Sequence, residues 1–314
     1  MRTLLMIKKP LIAILLFLLW FLPGGRITAA DDRIVILVSS NEDPFAQTVE
    51  GFSTALSRSR NGSGVEIIRL DGDAAKAGPS ARKIRAGGAR LVFTVGALAT
   101  DAAARELSDI PVVSCLVLRT DALQQSPNMT GVGLEYPAEV QFAWMQRLLP
   151  RAKNIGILYN AGENQRTVDA AKEAAKQAGI RLETEQVRSP QDVPAALNNL
   201  SRRVDAIWGI PDSIVLSPLI AKNILLFSFR NSIPVIGPSS TWVKAGALYA
   251  LDWDYRDLGG QCGEMAIRIL EGATPKSIPT AGPRKVNYSI NLVTARQMKL
   301  ELPGQLVQGA RQTY

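Results

Sequence analysis

Serine, asparagine and aspartate gather in this chain at the ends of short Val/Ile/Leu runs. Ser39, Ser40 and Asn41 follow "IVILV", Gly96 and Ala97 follow "LVFTV", and Cys115 lies beside Ser114 in "VVSCLVL". Farther on, Asn160 and Asn164 stand in "IGILYNAGENQ", Asp212 and Ser213 in "IPDSIV", and Ser239 and Ser240 in "GPSST". Asp252 completes the series, in "LDWDY" with Asp254. In open parallel sheets ligands bind beyond the carboxyl ends of the strands, where loops and helix N-termini present N–H groups. Hydroxyls, amides and backbone N–H groups at such ends can hydrogen-bond a carboxylate, and Asp212 can answer an ammonium by a charge-assisted bond. Each residue taken singly has an alternative role as a helix cap, so it is the collected pattern that points to ligand binding. The acids Asp252 and Asp254 invite a glycosidase or metal reading. The stronger alternative is a pair stabilised by a helix dipole, with one of them facing a cleft.

Several chemistries are excluded by composition and motif. The chain has no histidine, which removes Ser-His-Asp triads, imidazole metal ligands and imidazole acid–base steps. "GVGLEYPAE" contains G-x-G without a third glycine, no G-x-x-x-x-G-K-[ST] occurs, and neither "GPSST" nor "NGSGV" forms a G-x-S-x-G elbow. No catalytic residue, cofactor or metal is expected, and the chain is read as a non-enzyme; carboxylate chemistry at Asp252 or Asp254 is the alternative. Cys115 and Cys262, the only cysteines, fall in a predicted buried strand and a predicted helix, where small apolar packing is the common role. Lys and Arg number 36 against 28 acids, with no cluster of basic and aromatic residues, so a nucleic-acid partner is not expected.

The elements that position these residues follow from periodicity. Arg2, Lys8 and Lys9 precede an apolar run over 11–22, and Ala29 and Ala30 close it. That pattern reads as a secretory signal peptide over 1–30, cleaved after Ala30, and places the mature chain in the periplasm. Thereafter short apolar runs alternate with segments of helical period, as βαβ units do. Strands are expected at 34–39, 65–70, 91–95, 112–118 and 131–134, with helices at 44–59, 74–86 and 97–108 between them. The second series has helices at 138–149, 166–178, 193–202 and 216–231, and strands at 154–159, 181–186, 206–209, 234–236 and 247–251. A helix at 255–270, one more strand and a last helix complete it. Two series with their own parallel sheets mean two α/β lobes, more than one hydrophobic core usually organises.

Five stretches carry a family resemblance. They are "LVFTVGALATDAA", "NMTGVGLEYPAEVQFAWMQRLLPRAKNIGILYNAGENQ", "VDAIWGIPDSIV", "IPVIGPSSTWVKAGALYALDWDYRDLGGQCGEMAIRILEGATPKSIP" and "INLVTARQMKLELP". Together they resemble the substrate-binding proteins of ABC transporters, in particular those of tryptophan/tyrosine type. The resemblance implies an α/β type I periplasmic-binding fold: two Rossmann-like lobes joined by a three-crossing hinge. It implies one lobe from 31–135 and 254–278 and another from 136–253 and 279–314. It also implies a small amino-acid-like or aromatic solute clamped between monomeric lobes and delivered to a membrane permease. A sensor that presses on a membrane receptor or kinase is the alternative role.

Overall fold

Apolar runs buried on both faces pair as parallel strands with helices over them. The computed structural model describes residues 33–58, 64–118 and 120–314; the segment read as a signal peptide lies outside them. The first series is β1 (Ile34–Val38), α1 (Asp43–Ser57), β2 (Val65–Arg69), α2 (Ala74–Ala86), β3 (Leu91–Val95), α3 (Ala97–Glu106), β4 (Val112–Val117), α4 (Asp121–Gln125) and β5 (Met129–Gly133). Its five strands are all parallel, in the order β2-β1-β3-β4-β5. Val38 pairs in register with Val95, so Ser39 and Gly96 emerge side by side where the strand order reverses.

The second series repeats the plan. It comprises α5 (Ala138–Leu148), β6 (Asn154–Tyr159), α6 (Ala161–Gln177), β7 (Arg181–Gln186), α7 (Val193–Leu200), β8 (Ala206–Trp208), α8 (Pro218–Asn231), β9 (Val235–Ile236), α9 (Ser240–Ala245) and β10 (Tyr249–Trp253). After α10 (Tyr255–Leu270) come β11 (Val286–Ile290), α11 (Leu292–Gln297), α12 (Gly304–Gln308) and β12 (Gln312–Thr313). The sheet order is β12-β11-β10-β9-β8-β6-β7. One pair departs from the expected parallel arrangement: β11 runs antiparallel to β10, with Trp253 opposite Val286. The reason is topological, because the chain leaves the second sheet at Trp253 and re-enters it at the same end.

α10 returns to the first lobe and packs along α1. The helices approach closely because Gly51 and Gly259 lack side chains: a Cβ on Gly259 would sit 2.0 Å from the Thr48 carbonyl oxygen, and one on Gly51 2.0 Å from that of Arg256. Beneath them Phe52 stacks on Phe93 with ring centroids 3.9 Å apart.

Three chain crossings join the lobes, at 134–137, at 253–254 and near 282–285. Polar groups, some buried and some exposed, tie them together. The Tyr136 hydroxyl shares its proton between the carbonyls of Asp252 (2.7 Å) and Lys285 (2.9 Å). Trp253 Nε1 donates to the Leu134 carbonyl at 2.7 Å. Arg284 pairs with Asp257 and Glu264, each at 3.0 Å, and Lys285 with Asp257 at 3.2 Å. Ala281 still bonds to β5, donating to Gly131 and accepting from Gly133. Ala281 is thus tied to the edge of the first sheet by a single isolated bridge.

Elsewhere the boundaries shift by a residue or two, with one larger correction: α6 begins at Ala161, five residues before the expected 166. What looked like a polar turn at 160–164 is its cap and first turn.

Candidate ligand-binding site

Both switch points put polar residues at strand ends, where small ligands bind in this class of sheet. In the first lobe the Ser39 hydroxyl accepts the Ala99 N–H at 3.0 Å, so it ties β1 to the start of α3. Gly96 has φ 92, and a Cβ there would meet the Phe45 ring and Ser39 Oγ, each at 2.7 Å. Glycine is required on both counts. Ser40 is half-buried and Ala97 exposed, while Asn41 donates its amide to Asp71, which holds a left-handed turn at φ 56.

Cys115 requires a correction. It is fully buried in the core formed with α10, where Cys262 also lies, and both thiols are free. Burial, and then the Cys115 thiol beside it, push the Cys262 thiol well above its ordinary value. A residue sealed behind the sheet cannot touch a solute. Just beyond it, Leu116 takes φ 54 where the register between β4 and β5 shifts. This non-glycine residue in a left-handed conformation stores strain at the carboxyl end of the strand.

In the second lobe the expected residues do meet, but mostly they bond to each other. Asn160 is the N-cap of α6, and its side-chain oxygen accepts the Gly162 N–H at 3.0 Å. Asp212 is buried and receives four donors: Asn160 N (2.6 Å), Asn164 Nδ2 (2.9 Å), Ile214 N (3.0 Å) and Val215 N (3.0 Å). Asn164 also donates to the Pro211 carbonyl at 2.9 Å. Ser213 donates its N–H at 3.0 Å and its hydroxyl to Glu163. This network staples the loop after β8 to the start of α6.

Ser239 caps α9 without a side-chain bond, and Ser240 begins that helix; both are half-buried. Asp252 also requires correction. Side chains alternate along a strand, and Leu251 and Trp253 face the cleft, so Asp252 turns the other way and accepts the Ser289 hydroxyl at 2.6 Å. Asp254 caps α10, accepting the Asp257 N–H at 3.0 Å.

The cleft itself is a cavity of about 630 Å³ walled by both lobes beside the crossings. Thr120, Gln124 and Thr280 come from the first lobe, Gln141, Arg166 and Thr167 from the second, with Tyr136, Trp208 and Trp253 as its aromatic walls. Trp208 is held edge-on against Phe142, centroids 5.4 Å apart. Burial, and then Asp252 and Asp254, raise the Tyr136 hydroxyl far above its ordinary value, so it stays a donor. None of the expected residues lines this cavity, although Asp212, Ser239 and Asp252 each adjoin a residue that does. Sequence reasoning missed Trp208, Arg166 and Gln141. For Trp208 a signal existed: a large aromatic at the last position of a buried strand, directly before Gly-Ile-Pro-Asp.

Among the described residues no cluster of His, Cys, Asp and Glu is placed to hold a metal, and no helix is long and apolar enough to cross a membrane.

Comparison with known proteins agrees with this fold. A tyrosine-binding protein of Clostridioides difficile (strain R20291) is 25% identical over 224 residues, 67% of this chain and 63% of that protein. The chain thus spans under two thirds of that relative's length. The ABC domain in complex with L-Trp from Streptococcus pneumonia is 23% identical, covers 90% of this chain and 99% of its own, and has a TM-score of 0.60. The ligand-free, open structure of a substrate-binding protein with adhesive properties from Clostridium difficile is 24% identical, covers 89% and 98%, and has a TM-score of 0.74. These likenesses are of fold, the α/β type I periplasmic-binding architecture. With two such lobes and their shared cleft, and with residues 33–314 matching the family described as ABC transporter substrate binding protein, the chain belongs to that family.

Proposed function

We propose that this protein is the extracytoplasmic solute-binding component of an ABC uptake transporter and takes a small aromatic or amino-acid-like ligand between its lobes. The observation that carries this reading is the cavity of about 630 Å³ shared by both lobes and walled by Tyr136, Trp208 and Trp253. Its size and its aromatic lining with a few polar groups are those of small-molecule sites. The relatives described as binding tyrosine and L-Trp support the ligand class.

In this reading the ligand binds the closed arrangement of the lobes better than the open one, and closure follows from that difference. The hinge is the bundle of three crossings held by Tyr136 and Trp253. The closed, monomeric protein then presents the solute to a membrane permease. Export by the segment 1–30, with cleavage after Ala30, delivers it to the periplasm.

The test is a thermal-shift panel of the common amino acids and related aromatic metabolites on residues 31–314. A ligand at a hundred times its Kd adds about 2.7 kcal/mol to stability, enough to raise Tm by several degrees. Small-angle scattering with the hit should show a smaller radius of gyration. If no small molecule in the panel moves Tm, the solute-binding reading fails.

A further inference from the structure

The two charged residues described along the interlobe cavity differ in how they are paired. Among the described residues that wall it, Arg166 and Glu135 alone carry formal charge. Glu135 already has a partner. Arg166, in the second turn of α6, is exposed and forms no hydrogen bond or ion pair with any described residue.

The acids beside the cavity do not restore the balance. A carboxylate has about four lone-pair sites, and Asp212 has four donors at 2.6 to 3.0 Å. Asp252 turns from the cleft toward Ser289. Among the described residues the cavity thus offers one unmatched positive charge and no unmatched negative one. Around Arg166 stand Gln141 and Thr167, with Trp208 and Trp253 supplying apolar walls.

Resting on the reading of this cavity as the solute site, we propose that its ligand is an aromatic carboxylate whose anionic group is taken by Arg166, and that an α-ammonium group is not required. A guanidinium presents a planar fork that matches a carboxylate bidentately. A bound ammonium, in contrast, meets only neutral oxygens and aromatic faces among the described walls, apart from the already partnered Glu135, and burying a charge without a counter-charge is unfavourable. The same argument couples binding to closure. Bringing the lobes together removes water from Arg166; without an anion the closed form holds an unpaired buried cation, and with one it holds a hydrogen-bonded pair.

The experiment is calorimetric titration with three matched compounds, indole-3-propionate, tryptamine and L-tryptophan, and with their 4-hydroxyphenyl counterparts. The acids should bind within about tenfold of the amino acids, and the amines should not bind. Arg166→Met should weaken the acids by about 10- to 100-fold, the range for a hydrogen bond to a charged group, and Arg166→Lys should recover part of that loss. Far-UV circular dichroism checks that both variants fold. Amines binding as well as acids, or undiminished affinity in Arg166→Met, would overturn the proposal. If the amino acids bind but the deaminated acids bind over a hundredfold more weakly, this inference fails while the solute-binding reading stands. If no compound of either series binds, the inference fails, and the broader amino-acid panel then decides the solute-binding reading separately.

Discussion

Tyr249 shows how a single side chain can be placed for packing at the expense of its polar atom. It is fully buried in the second lobe, and its hydroxyl is a buried group without a hydrogen-bond partner among the described residues. Leaving such a group unsatisfied costs about 1–3 kcal/mol. Tyr249→Phe keeps the ring and removes the orphan, so it should raise stability by about 1 kcal/mol in denaturant unfolding at neutral pH. The variant should also change the pH dependence. Burial raises the Tyr249 hydroxyl far above its ordinary value, so the folded state keeps a proton that the unfolded state loses above about pH 10. The contribution is intact below that pH and is lost as pH rises from there toward the folded value. Between pH 9 and 11 wild-type Tm should therefore fall more steeply than that of Tyr249→Phe; parallel curves would count against the assignment. Asp212 teaches a different lesson at this scale. An acid directly after a buried strand reads equally as a cap or as an ammonium ligand. In the structure its carboxylate braces the turn after β8, with α8 beginning only at Pro218: Ile214 and Val215 present their N–H groups to one oxygen, and Asn160 and Asn164 theirs to the other.

At the scale of elements, α10 is placed by what its glycines omit. Gly259 and Gly263 are four residues apart on one helix face, and Cβ atoms there would meet the Thr48 carbonyl oxygen at 2.0 Å and the Ala55 Cβ at 2.5 Å. Gly259→Ala should force the helices apart and destabilise the protein by about 1–3 kcal/mol, the usual cost of overpacking. Gly304→Ala, at the first residue of α12 with nothing within 4 Å of the added Cβ, should be neutral or mildly stabilising. Chemical denaturation of the two variants makes the comparison, and equal midpoints would contradict the close-packing argument. The element pattern was largely legible: β3, β6, β7, α2 and α10 have the bounds that periodicity predicts. The start of α6 was not, since Asn-Ala-Gly-Glu-Asn has the composition of a turn. It is helical because Asn160 caps it and because Glu163 and Asn164 bond to Ser213 and Pro211, some fifty residues away.

At the scale of the whole molecule, the two lobes are joined by crossings whose polar groups converge on Tyr136. Its hydroxyl bonds two carbonyls, that of Asp252 at the end of β10 beside the second crossing and that of Lys285 in the third. Tyr136→Phe leaves those carbonyls without this donor, and should lower stability by about 1 kcal/mol and loosen the hinge. Small-angle scattering of the ligand-free variant should give a larger mean radius of gyration than wild type, and an identical curve would show that the hydroxyl does not restrain the lobes. Local physics was sufficient for much of this protein. Runs buried on both faces, alternating with amphipathic stretches, determined an α/β chain of two sheets, because burial and period are properties of short segments. The lack of histidine ruled out imidazole-based chemistry. The resemblance carried by five stretches extended that reading to the family. The walls of the cleft were decided only by tertiary structure. Thr120, Arg166, Trp208 and Trp253 meet because the strand order reverses in each sheet and the chain crosses between them three times. No local signal encodes which strand end will face which. For the same reason the alternation of β10 turned Trp253 toward the cleft and Asp252 away from it, and the packing of α10 sealed Cys115 inside.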